Sequence, residues 1–129
     1  MSEKIIHNWI GLAEYDMETA KAMFDSGRYL YVAFMCQQAI EKLLKACYVK
    51  QAQQTPPHTH NVLRLAKSLS LASEMDNEKL KHLEALNSYY IESRYTEEIS
   101  ELSMLLTKAK AGELLQISSE LFKWIRTRI

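Results

Sequence analysis

Apolar residues recur along most of this chain at steps of three and four, the spacing that places side chains on one face of a helix. From Tyr29 to Lys50 (YLYVAFMCQQAIEKLLKACYVK) no Gly or Pro interrupts the pattern, and Leu30, Ala33, Phe34, Gln37, Ile40, Leu44 and Cys47 fall on one side. Val32, Cys36, Ala39 and Leu43 widen that stripe. A helix of this length spans about 33 Å, and so broad an apolar surface should touch neighbours on more than one side. It is expected to be the central helix of a bundle. Gln37 and Gln38 sit beside the stripe, where leucine would be the cheaper choice for a purely structural helix.

The other elements follow from the same pattern. Residues 3–25 predict a first helix through Ile6, Ile10, Ala13, Met17, Ala20 and Phe24, ended by Gly27 as a left-handed C-terminal residue. The short link to the second helix implies antiparallel packing. The polar stretch KQAQQTPP, Lys50 to Pro57, is a loop. It precedes a short third helix capped by Thr59 or Asn61, with Val62, Leu65, Ala66 and Leu69 buried. A fourth helix begins between Ser73 and Asp76, either of them serving as its cap, and carries Leu80, Leu83, Leu86, Asn87, Tyr90 and Arg94 along one stripe. Asn87, Tyr90 and Arg94 are thus expected to share a face in its last turns.

Residues 95–106 (YTEEISELSMLL) read as an extra helical turn, or as a loop whose apolar residues pack on the bundle or on a second subunit. Thr107 caps the last helix, whose stripe runs from Ala111 to Ile129, and Trp124 lies off that stripe as a candidate dimer contact. The expected fold is all-α, an up-down antiparallel four-helix bundle with one extra short helix, in one domain over residues 1–129.

Composition narrows the class. Three Gly and two Pro in 129 residues are too few for the turns of a β-sandwich or barrel. No window approaches a membrane-spanning apolar run, and acidic residues come too early for a signal peptide, so a cytoplasmic location is expected. Cys36 and Cys47 are eleven residues apart on one helix, about 16 Å, too far to bridge; they read as small buried hydrophobes. Net charge is zero but unevenly spread, with eight acidic and three basic side chains in residues 73–101. The basic excess is divided between residues 29–72 and 102–129, so a nucleic-acid-binding patch would form only if folding brings the two together.

The common chemical motifs are missing: no Gly-rich phosphate loop, no HExxH, no Glu-x-x-His and no nucleophile elbow. His58 and His60 stand two apart without a nearby third ligand, which favours capping or loop hydrogen bonds over metal. Neither metal nor cofactor is expected. Arg94, at the inner edge of a bundle, needs a carboxylate such as Glu41 or Glu98, backbone carbonyls, or a ligand anion.

Four stretches carry a resemblance. They are Trp9-x3-Ala13-x2-Asp16-x3-Ala20, the run Ala33-x2-Cys36-Gln37-Gln38-Ala39-Ile40-Glu41-Lys42-Leu43-Leu44-Lys45-Ala46, His60-Asn61-Val62-Leu63-x-Leu65-Ala66, and Leu86-Asn87-x2-Tyr90-x3-Arg94-Tyr95. In this order they resemble the HEPN domain family (higher eukaryote and prokaryote nucleotide-binding), over nearly the whole chain. The resemblance implies a homodimeric bundle that works beside a minimal nucleotidyltransferase. Many members are metal-independent ribonucleases with an arginine and a histidine separated by four to six intervening residues; arginine holds the phosphate and histidine moves the proton. This chain departs from that pattern, because Ile99, Ser100 and Glu101 follow Arg94 at those distances and no other arginine has its histidine.

Three functions are weighed. The first is a non-nucleolytic module that binds a nucleotide or a nucleotidyltransferase partner through Arg94, Tyr95, Tyr90 and Asn87, with second-helix polar contacts from Gln37, Gln38 and Glu41. The second is a divergent ribonuclease in which another residue replaces the histidine. The third is a helical assembly module without ligand. The resemblance also makes Tyr95, next to Arg94, a candidate for modification by a partner transferase.

Overall fold

A computed structural model of the chain describes residues 3–129, and of Ser93 the backbone only. Six α-helices follow one another: α1 (Glu3–Asp25), α2 (Tyr29–Ala52), α3 (Val62–Lys67), α4 (Asn77–Asn87), α5 (Thr96–Leu105) and α6 (Lys108–Arg126). Short 3-10 turns at Ser70–Glu74 and Ile91–Ser93 flank α4. The expected all-α bundle is what forms.

Each end has a local cause. Gly27, at φ 76°, closes α1 in a Schellman arrangement: Arg28 N donates to Met23 O at 2.8 Å and Gly27 N to Phe24 O at 3.1 Å. Asn61, Asp76 and Thr107 cap α3, α4 and α6 by accepting from Arg64 N, Lys79 N and Lys110 N. In each case the cap is a residue the sequence offers.

α2 packs against all five other α-helices, as its wide apolar stripe requires. Val32, Ala33, Cys36, Ala39, Ile40, Leu43, Leu44 and Ala46 are fully buried along it. Cys36 and Cys47 are buried, free thiols, and desolvation pushes each up to about 12. Cys36 is also close enough to Ser118 on α6 for a hydrogen bond that partly offsets this. Ser118 Oγ in turn pairs with His82 Nε2 of α4 at 2.8 Å, so one buried hydroxyl joins three helices.

Two expectations change. α4 ends at Asn87 and does not continue to Arg94. Asn87 and Ser88 are poor helix formers whose side chains compete for backbone partners, and Asn87 Oδ1 accepts from Val62 N at 2.8 Å. Tyr90 and Arg94 are therefore not on one helical face with Asn87; the turn Ile91–Ser93 separates them. Residues 96–105 form a full helix, α5, with no buried residue. Met104 and Leu105 are 81% and 68% exposed, while Leu106 is buried just after them. Trp124 is half-buried, with Lys79 Nζ 5.2 Å and Arg128 Cζ 4.1 Å from the ring centroid.

Leu83→Ala, in the fully buried α4 stripe, is expected to cost about 2–5 kcal/mol. Leu105→Ser should stay within about 0.5 kcal/mol; urea unfolding of both variants checks the contrast. His82 supplies a pH dependence. Burial lowers its folded pKa below the ordinary histidine value of 6.5, so the unfolded chain takes up the proton first. Its contribution is complete above that value and is lost as pH falls through the folded pKa. The drop in thermal midpoint on acidifying below neutrality should be smaller in His82→Gln.

Candidate functional site

The polar residues of the second helix converge on one buried carboxylate. Gln37, Glu41 and Lys45 recur every four residues along α2 and are 0%, 3% and 7% exposed. Glu41 Oε1 accepts from Gln37 Nε2 at 3.1 Å and pairs with His60 Nδ1 at 2.9 Å. Glu41 Oε2 accepts from Lys45 Nζ at 3.1 Å. Every buried side-chain polar atom among the described residues has a partner, the condition under which a buried charge is tolerable.

The network reaches in both directions. Gln37 Nε2 also donates to the backbone carbonyl of His60 at 3.0 Å, and Gln38 Nε2 donates to Gln37 Oε1 at 2.8 Å. Lys45 Nζ lies 5.6 Å from the centre of the Trp9 ring on α1, a cation–π contact. Lys42, one residue past Glu41, pairs with the buried Asp16 of α1. α2 is thus bound to α1 and to the loop before α3 by charge as well as by packing.

His60 lies flat on Tyr90, with ring centroids 3.9 Å apart and planes 11° from parallel. Phe34 of α2 meets the same tyrosine at 6.2 Å. The Tyr90 hydroxyl donates to Glu92 at 3.2 Å, and its pKa is raised by desolvation first and by that carboxylate second.

The residues expected at the site divide into two groups. Gln37, Gln38, Glu41 and Tyr90 come together around His60. Asn87 serves the fold: its Oδ1 takes Val62 N and its Nδ2 donates to Asn61 Oδ1 at 2.9 Å, which fixes the start of α3. Arg94 leaves the turn after Ile91–Ser93 and pairs with Glu98 of α5 at 2.9 Å, one of the two carboxylates the sequence offers it. Its side chain is 33% exposed. Tyr95 is 77% exposed. The sequence did not place Lys45, His60 or Asp16 at the site, although a loop hydrogen bond was expected of His60 and is present to Glu41. Lys45 was detectable as a cation four residues after Glu41 on a helix otherwise apolar there; His60 could be found only through the loop that carries it.

Glu41→Ala leaves the Lys45 ammonium buried beside Trp9 without its carboxylate, and should cost about 3–5 kcal/mol. The double change Glu41→Leu with Lys45→Met removes both charges and should recover most of that loss. Chemical denaturation of the two variants reads the difference.

The model of the HEPN domain matches residues 6–128 of the chain. Three solved structures share the fold. A protein from Thermus thermophilus superposes with a TM-score of 0.80 at 21% identity, over 96% of this chain and 98% of its own. An archaeal HEPN homologue gives 0.75 at 24% identity, over 95% and 96%. A HEPN domain protein from Thermotoga maritima gives 0.70 at 21%, over 94% and 96%. No curated protein matches the chain at a significant level. A match over all but a few residues at each end, carried by a bundle of the same topology, makes this chain a member of the HEPN domain family.

Proposed function

We propose that this HEPN domain is a non-nucleolytic module that works as a homodimer and binds a nucleotide, or the nucleotide-bearing face of a nucleotidyltransferase partner. The observation that carries the reading is the state of Arg94. The guanidinium is partly exposed, and Glu98 is its one partner among the described residues, through Nη1. The remaining N–H groups of the fork are suited to phosphate oxygens. No histidine follows it after four to six intervening residues, so the pairing of phosphate holder and proton shuttle within one motif is broken. Exposed Tyr95, next to it, is sterically open to modification by a transferase.

A second reading draws on His60. A histidine whose Nδ1 is held by a buried carboxylate has the arrangement of a general base with a free Nε2, and a divergent metal-independent ribonuclease would need one. Incubation with single-stranded RNA in EDTA separates the two: the module should leave RNA intact. Calorimetry with ATP should give a saturable heat that Arg94→Ala weakens about tenfold or more, the loss expected for a charged hydrogen-bond pair. Light scattering should give the mass of a dimer. RNA cleaved without metal in an Arg94-dependent way would establish the ribonuclease instead, and blank results in both assays would leave an assembly module.

A further inference from the structure

His60 is held more firmly than a surface histidine needs to be. Tyr90 covers one face of the imidazole at 3.9 Å. Glu41 takes the Nδ1 edge at 2.9 Å, and Gln37 holds the backbone carbonyl of the same residue at 3.0 Å. Even so, the His60 side chain is 49% exposed. Nearly half of the side chain thus stays open to solvent although Tyr90 lies on one face and Glu41 holds one edge. Among the described residues Nε2 has no hydrogen-bond partner.

Behind the exposed ring stands a row of aromatic side chains. His60 lies on Tyr90, Tyr90 meets Phe34 at 6.2 Å, and Phe34 meets Tyr31 at 6.4 Å. The outermost ring cannot turn without breaking its bond to a carboxylate that is 3% exposed. A flat ligand landing on it therefore meets a surface already ordered, and little side-chain freedom is lost on binding.

We propose that the outer face of His60 is a stacking platform for the base of a nucleotide. This rests on the nucleotide-binding reading above and assigns it a second anchor. Base–aromatic stacking needs only an exposed flat ring and tolerates any base; purines overlap it most. A neutral imidazole that donates from Nδ1 to Glu41 leaves Nε2 to accept from an amino or imino group at the edge of the base. Arg94, the phosphate holder of the reading above, follows Tyr90 by four residues in the chain. The buried Glu41–Lys45 pair thereby acquires a purpose beyond stability: it holds the platform at a fixed tilt.

The test titrates ATP, AMP and inorganic tripolyphosphate into the full chain and into His60→Ala and His60→Phe, with thermal melts to show that each variant is folded. His60→Ala should weaken both nucleotides at least about fivefold, the loss of one base stack, and leave tripolyphosphate unchanged. His60→Phe, which keeps a flat ring, should recover most of the affinity. In the unaltered protein the His60 ring protons should move upfield on adding AMP and stay in place on adding tripolyphosphate. ATP binding equally well to His60→Ala, or ring protons unmoved by AMP, would overturn the platform and leave the nucleotide reading standing. Failure of the unaltered chain to bind either nucleotide would overturn both.

Discussion

Glu41 places a carboxylate in the middle of the most buried surface of the molecule, and its desolvation has to be offset on the spot. The offset comes from three directions at once: Lys45 one turn later, Gln37 one turn earlier, and His60 from the loop before α3. Taking two charges out of water costs several kcal/mol per ion even after relaxation, and a well-packed apolar pair of equal volume would serve stability as well. What the ionic arrangement adds is position. It fixes one rotamer of Glu41, one of Lys45, and the plane of one imidazole. An apolar contact at the same place would leave that ring free to turn.

This constraint extends through the chain. With His60 tied to α2, the backbone that follows is brought to Asn87, whose amide closes the start of α3 and the end of α4 together. With Lys42 on Asp16 and Lys45 over Trp9, α1 is held against the same helix from the other side. One helix thus carries the apolar core on most of its circumference and a satisfied polar row along the remainder. The Cys36 and Cys47 thiols share that burial, which pushes the pKa of each up to about 12.

The long elements were legible because their signals agree. In α1, α2 and α6, periodicity, length and end residues all indicate helix, and Gly27 and Thr107 mark boundaries by mechanisms that act within a few residues. α4 misled because its stripe of Leu80, Leu83, Leu86, Asn87, Tyr90 and Arg94 is compatible with a continuing helix. The deciding interaction, Asn87 with Val62 N, is 25 residues away in the chain and cannot be read locally. The site follows the same rule. Gln37 and Glu41 were visible as polar residues on an apolar helix. His60 was visible only as a loop histidine, since its partner Glu41 is 19 residues back. α5 was hardest, because a helix that buries nothing lacks the contrast between faces on which periodicity depends.

That last difference divides the proposed site into a rigid half and a loose half. Gln37, Glu41, Lys45 and His60 belong to the rigid half and are pinned by buried hydrogen bonds. Arg94 belongs to the loose half: it follows a three-residue 3-10 turn and is paired with a helix that contributes no residue to the core. Segments with few buried apolar contacts open at low free energy, so the guanidinium can shift while the imidazole platform stays in place. A nucleotide is built along the same division, with a stiff base and a flexible phosphate chain. The stiff part is best met by the preordered ring, because ordering both partners on binding would forfeit affinity. The flexible part is best met by a cation that can follow it, and Glu98, a partly exposed partner, is weak enough to release Arg94 for the purpose.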